Sequence, residues 1–200
     1  MVHQIRRSLL GGALSAAVLL AMAMAPNTAG AVETRQATGT VHYVNCSATE
    51  NGDGSEAKPL NSITAANGVS LQAGDQLLFK RGTTCESQVQ TVDGQSNVKA
   101  GLRVVNAKGT ADAPIIIGAY GDVNNGAPII AGNGVSETVL LKNSEYITVS
   151  GLEVTNKDVE GQSDKYMRRG IVVMNDNAGV LHNITVADNN VHDVRGEFAK

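Results

Sequence analysis

The sequence predicts an all-β solenoid, and three observations carry that reading. Residues 147–154 read Ile-Thr-Val-Ser-Gly-Leu-Glu-Val and residues 184–191 read Ile-Thr-Val-Ala-Asp-Asn-Asn-Val, so a strand-turn-strand phrase returns after 37 residues. The run before each copy returns as well, Thr138 to Asn143 answering Gly170 to Asn175. From Leu102 onward, short runs of Ile, Val and Leu are separated by Gly, Asn and Asp, and no amphipathic run longer than about two helical turns appears after Asn67. A unit that returns at a fixed interval cannot bury its apolar face alone and must stack on its neighbour.

The chain opens on an export signal. Arg6 and Arg7 precede an apolar run from Leu9 to Ala25, and Ala29-Gly30-Ala31 supplies a small-x-small cleavage site, so the mature chain starts at Val32. A membrane anchor is the competing reading of that run, which lies at the lower limit for spanning a bilayer. Arg6-Arg7 also fits twin-arginine export, although Ile5 stands where that signal has a polar residue; general secretion is preferred. The reading divides the chain into a signal (1–31), a flexible leader (32–40) and one domain (41–200), with a cap over about 41–100 and coils over about 101–200. Losing Arg6 and Arg7 takes the net charge from −3 to −5. That balance excludes nucleic acid and anionic membranes as partners, both of which need a basic face. A monomer is expected.

Cys46 and Cys85 both lie in the exported part. An even count in an oxidising compartment reads as a disulfide, with a metal pair as the alternative, although no His lies at ligand spacing from either. Val41 to Val44 alternates and is β-prone, a first strand, and Asn51 to Ser55 is a turn cluster. Asn61 or Ser62 can cap a short helix over Ile63 to Ala66, which Gly68 stops. Such a helix would cover the open end of a stack. Gln76 to Lys80 is the second strand. Later strands are expected at Leu102–Val105, Pro114–Ile117, Ile129–Ala131, Val139–Leu141, Ile147–Val149, Leu152–Val154, Ile171–Met174 and Ile184–Val186. Between Thr155 and Gly170 the rhythm breaks into a charged insertion, the kind of loop that builds binding surfaces on repeat proteins.

Tyr43-Val44-Asn45-Cys46, Asn51-Gly52-Asp53-Gly54, Lys58 to Ile63, Ala73 to Gly82 and Ala113 to Gly121 follow one another in an order that resembles the opening of secreted right-handed parallel β-helix proteins of the pectate-lyase-like superfamily. The resemblance runs from about Tyr43 to the C-terminus. It implies an all-β, right-handed parallel β-helix solenoid with a short N-terminal capping helix, acting on extracellular polysaccharide as a lyase or a glycoside hydrolase. A lyase of that kind would use a basic residue and Ca²⁺, a hydrolase paired carboxylates. The alternative is a non-catalytic carbohydrate-binding or adhesion solenoid. The resemblance also implies an asparagine ladder, for which Asn143 and Asn175 hold matching places. The chain ends at Gly196 to Lys200, just after a strand and without a polar cap, so the solenoid is expected to be incomplete there, a fragment or a truncated relic.

Chemistry is expected first at His192-Asp193-Val194-Arg195-Gly196-Glu197, which gathers an imidazole, two carboxylates and a guanidinium. Strand alternation predicts His192 and Val194 on one face with Asp193 and Arg195 on the other. There Arg195 would clamp a carboxylate while His192 or Asp193 moves a proton; a turn with a local Asp-Arg pair is the plainer reading. Arg168, Arg169 and Tyr166 are the candidates for binding a sugar. Asp176 and Asp188 are the candidates for Ca²⁺, against a role in turn geometry.

Overall fold

The computed structural model describes residues 39–88, 91–92, 95–157 and 168–196. The expected signal (1–31), most of the expected leader (32–40), Tyr166 and Glu197 lie outside the described residues. In chain order the elements are β1 (Val41–Val44), α1 (Ile63–Ala66), β2 (Gln76–Lys80), β3 (Thr84–Glu86), β4 (Thr91–Val92) and β5 (Gln95–Val105). They continue with β6 (Ile115–Tyr120), β7 (Ile129–Ala131), β8 (Glu137–Lys142), β9 (Ile147–Ser150), β10 (Glu153–Asn156), β11 (Arg169–Met174), β12 (Ile184–Ala187) and β13 (Asn190–Val194). Ser62, not Asn61, caps α1, its hydroxyl accepting from the Ala65 amide at 3.2 Å.

Three sheets form, with strand orders β1-β2-β6-β9-β12, β13-β10-β7-β3 and β11-β8-β5-β4. Period-2 patterning decides which side chains go inward. Leu77 and Phe79 on β2, Ile115 and Ile117 on β6, and Ile147 and Val149 on β9 are all essentially without solvent contact. Each such side chain contributes about 1.5–3 kcal/mol by burial. Leu102 and Val104 of β5, Val139 and Leu141 of β8, and Ile130 and Val154 from the second sheet join them in one core cluster.

The right-handed β-helix solenoid expected from the sequence is corrected here: the described residues form a mostly parallel three-sheet β-structure with almost no helix among them. The premise that fails is the fixed interval. Ile147, Thr148 and Val149 do pair in parallel register with Ile184, Thr185 and Val186, a step of 37 residues. Elsewhere in the same sheet Val41 pairs with Gln76, Gln76 with Ile116 and Ile115 with Ile147, steps of 35, 40 and 32 residues. In the second sheet Thr84 pairs with Ile129 and Ile129 with Glu153, steps of 45 and 24. β4 pairs with β5 in antiparallel fashion. Strands of different sheets also meet, β10 packing against both β8 and β11. Two similar phrases therefore record one parallel pair within a closed core and not a periodic array.

Cys46 and Cys85 form a disulfide with Cα atoms 5.2 Å apart. It ties the chain just after β1 to β3, so it joins the first sheet to the second. The expected ladder pair does not meet. Asn143, at φ 52°, donates from its amide to Asp176 at 2.6 Å and accepts from the Asp176 backbone at 3.0 Å, while Asn175 closes a local turn with Asn177 and Gly179.

Candidate functional site

The second sheet places the sequence-predicted cluster at its outer strand. β13 pairs with β10 through Glu153↔Asn190, Val154↔Val191 and Thr155↔His192, and then the register slips so that Asn156 faces Val194. Asp193 is the extra residue of this β-bulge, and its φ of 51° lies in the left-handed region. A bulge re-aims side chains and recurs beside active sites. Here it overturns the expected alternation: sequence neighbours His192 and Asp193 share one face, with His192 Nδ1 3.3 Å from Asp193 Oδ2.

The other imidazole nitrogen, Nε2, lies 3.0 Å from Glu153 Oε1. Asp193 also meets Lys157 Nζ at 3.5 Å and Arg195 Nη2 at 3.9 Å. One imidazole thus stands between two carboxylates, with two cations behind the second. Desolvation raises the Asp193 carboxyl, but hydrogen bonds from His192 and Lys157 and their charges outweigh it, so it titrates below its usual range. Arg195 faces this carboxylate.

Beside the cluster lies a hollow of about 620 Å³. Val186, Val191 and Val194 form an apolar wall; His192, Arg168 and Arg169 supply its polar groups. The hollow therefore brings together candidates from two stretches of sequence, an arrangement typical of small-ligand sites. Arg169 begins β11 opposite Glu137 of β8, and its Nη2 donates to Glu137 Oε1 at 2.6 Å. Glu137 is fully buried, and its Oε2 makes no hydrogen bond among the described residues. Burial pushes this carboxyl above its ordinary range, with the Arg169 charge and hydrogen bond opposing. Arg168 is buried against the same corner.

The two Ca²⁺ candidates sit elsewhere. Asp176 pairs with the buried Lys142 at 2.9 Å, and Asp188, at φ 54°, accepts a backbone hydrogen bond from Gly151. Among the described residues no group of three or more His, Cys, Asp and Glu side chains is arranged to hold a metal ion.

Sequence reading missed Glu137, Glu153 and Lys157. Glu153 was legible: the 37-residue step sets it opposite Asn190, two residues before His192. Glu137 had the weaker signal of one charge opening an apolar strand.

Three comparisons bear on this arrangement. No known family profile matches the chain. The lacto-N-biosidase of Bifidobacterium longum subsp. longum is 29% identical over 239 aligned positions, which take in 93% of this chain and 14% of that protein. The crystal structure of the native GH136 lacto-N-biosidase from Eubacterium ramulus superposes with a TM-score of 0.64 at 32% identity, over 78% of this chain and 28% of that one. Its selenomethionine form gives 0.66 at 33%, over 82% and 28%. The chain thus spans well under a third of each relative. These matches correct the resemblance to the pectate-lyase-like superfamily: the relatives found are glycoside hydrolases of another family.

Proposed function

We propose that this chain forms part of an extracellular glycoside hydrolase that acts on an oligosaccharide, with the hollow beside β13 as its sugar site. The likeness to the lacto-N-biosidases, at 32–33% identity over about four fifths of the chain, supports a hydrolase in place of a polysaccharide lyase and an oligosaccharide in place of a polymer. The disulfide suits an oxidising compartment outside the cell.

The observation that carries the residue assignment is the bulge at Asp193. Glycoside hydrolysis needs one carboxyl to protonate the leaving oxygen and a second, ionised, to activate water or attack the sugar. Asp193, held ionised, is the second. Glu153 is the acid side, with His192 between them exchanging the proton. Arg169 orients sugar hydroxyls from the rim, and Glu137 acts as a positioning residue for Arg169.

Hydrolysis of chromogenic glycosides, a lacto-N-bioside among them, tests the reading. Asp193→Asn and Glu153→Gln should each lower kcat by about 10²–10⁴-fold. Full activity in both variants would remove the residue assignment, and no release from any glycoside would remove the hydrolase reading itself.

A further inference from the structure

An asparagine followed by glycine is open to spontaneous deamidation, because the glycine nitrogen can approach the asparagine side chain with no Cβ in the way. The chain carries four such pairs: Asn51-Gly52, Asn67-Gly68, Asn125-Gly126 and Asn133-Gly134. The reaction needs two freedoms. The Asn side chain must swing over the next nitrogen, and that N–H must be able to give up its proton. A hydrogen bond to either group holds the reaction back.

Three of the pairs are held. The Asn67 amide donates to the Gly101 carbonyl at 2.8 Å, its oxygen accepts from the Arg103 N–H at 2.8 Å, and the Gly68 N–H donates to the Ala65 carbonyl at 3.0 Å. Asn51 Oδ1 accepts from the Asn61 N–H at 3.2 Å, while the Gly52 N–H donates to the Pro59 carbonyl at 3.0 Å. A Cβ on Gly52 would collide with the Lys58 backbone, so that turn is tightly packed as well. The Gly134 N–H donates to the buried Asn156 side chain at 2.9 Å.

Asn125-Gly126 differs at each point. Asn125 ends a short 3-10 helix, Val123–Asn125, in the connection between β6 and β7. The capping carboxylate of Asp122 accepts from the backbone and the side-chain amide of Asn124, both at 2.9 Å, and so is engaged one residue short of Asn125. The Asn125 side chain and the Gly126 N–H make no hydrogen bond among the described residues. Both residues are exposed, and a methyl built on Gly126 would meet nothing within 4 Å. Gly82 leaves room beside them: a Cβ there would crowd the Asn125 Cβ at 3.2 Å.

We propose that Asn125 is a self-modification site, converted in the folded chain to aspartate and isoaspartate. The Gly126 nitrogen attacks Asn125 Cγ. A bond from that nitrogen to Cγ forms, the bond from Cγ to the side-chain nitrogen breaks, and the side-chain nitrogen leaves as ammonia with the Gly126 proton. Water then opens the succinimide ring. Attack at Cγ restores the backbone and gives aspartate; attack at the backbone carbonyl carbon leaves Gly126 joined through Cγ, as isoaspartate. Water enters, ammonia leaves, and nothing is oxidised or reduced. Each product adds a negative charge to a chain whose formal net charge is already −3. The turn is exposed and outside the core, so an acidic form accumulates in the folded protein. The site is independent of the hydrolase reading.

The test incubates the folded full chain in mildly alkaline buffer made with heavy-oxygen water, digests it in ordinary water and sequences the peptides by mass spectrometry. Label should enter at Asn125 at least about tenfold faster than at Asn51, Asn67 or Asn133, since held sites react only through local opening. The same incubation in urea should bring the four to similar rates, which places the difference in the fold. Methylation by an isoaspartate-specific methyltransferase should rise with the label and be lost in Asn125→Gln, whose longer side chain closes its ring far more slowly. Asn125→Asp should melt as the parent does. Labelling at Asn125 no faster than at the held pairs, or methylation unchanged in Asn125→Gln, would overturn the site. A large drop in the melting temperature of Asn125→Asp would overturn accumulation of the acidic form in the folded protein.

Discussion

Asp193 Oδ2 lies 3.3 Å from His192 Nδ1 although the two are consecutive residues of one β-strand. Only the bulge, with Asp193 at φ 51°, makes that possible. Asn tolerates this backbone nearly as well as Asp, whereas a β-branched residue does not. Asp193→Asn should therefore leave Tm within about 2 °C of the parent, while Asp193→Val should lower it by several degrees, of order 5 °C. Thermal melts of the two variants separate the charge from the conformation. Equal melts would mean that the bulge does not depend on the residue at its apex.

Glu137 and Arg169 give a prediction with a definite pH sign. Burial raises the Glu137 carboxyl above its unfolded value of 4.5, so the contribution of its protonated form to stability is fully present below 4.5 and is lost as pH rises through the folded value. Arg169→Met removes the opposing charge and leaves the carboxylate buried. At pH 7 this should cost roughly 2–3 kcal/mol, at the low side for buried pairs because the guanidinium is partly in solvent. At pH 4 the cost should be markedly smaller. Urea midpoints at the two pH values check this, and an equal loss at both would place the effect in packing and not in charge.

The strand runs were legible because period-2 burial follows from chain geometry alone: Gln76–Lys80, Ile129–Ala131 and Ile147–Val149 form where alternation marks them. The spacing between strands was not legible. It is set by loop lengths that the core tolerates, which is why the 37-residue step seen at Ile147 and Ile184 does not extend to Ile115 or Gln76. At the site, His192, Asp193, Arg168 and Arg169 were visible as reactive types in unusual company. Their arrangement was not, since a one-residue register slip opposite Thr155 and Asn156 has no local sequence signature. Glu137 enters the site through strand pairing across 32 positions, information that only the folded chain holds, whereas the 37-residue step already set Glu153 opposite Asn190.

Lys142 and Asp176 predict the acid limb. The Lys142 hydrogen bond, then that of Asn143, holds the Asp176 carboxyl below its usual range despite some desolvation. A depressed carboxylate contributes stability above its unfolded value of 3.8 and loses it as pH falls through the folded value. Asp176→Asn should lower Tm at pH 7 by a few degrees, roughly 3 °C, since the ion pair of Asp176 with the buried Lys142 ammonium is lost. The difference from the parent should shrink below pH 3. A constant difference across pH 2 to 7 would count against the ion pair as its cause.

Cys46 and Cys85 supply the last prediction. The bond spans 39 residues of sequence and closes them into a loop that holds α1 and β2, with β1 just ahead of it. On the chain-entropy account a loop of that length stabilises the fold by about 4 kcal/mol, almost all of it by restricting the unfolded chain. Cys85 is fully buried in the core cluster, so an alanine there would add a cavity cost to the loss of the bond. Reduction of the intact chain avoids that confusion, because both sulfur atoms stay in place. It should lower Tm by roughly 8–16 °C for a domain of this size, with β1 and α1 losing hydrogen-exchange protection before β8 and β9. A melt unchanged by complete reduction would mean that the core holds the N-terminal strands without the covalent tie.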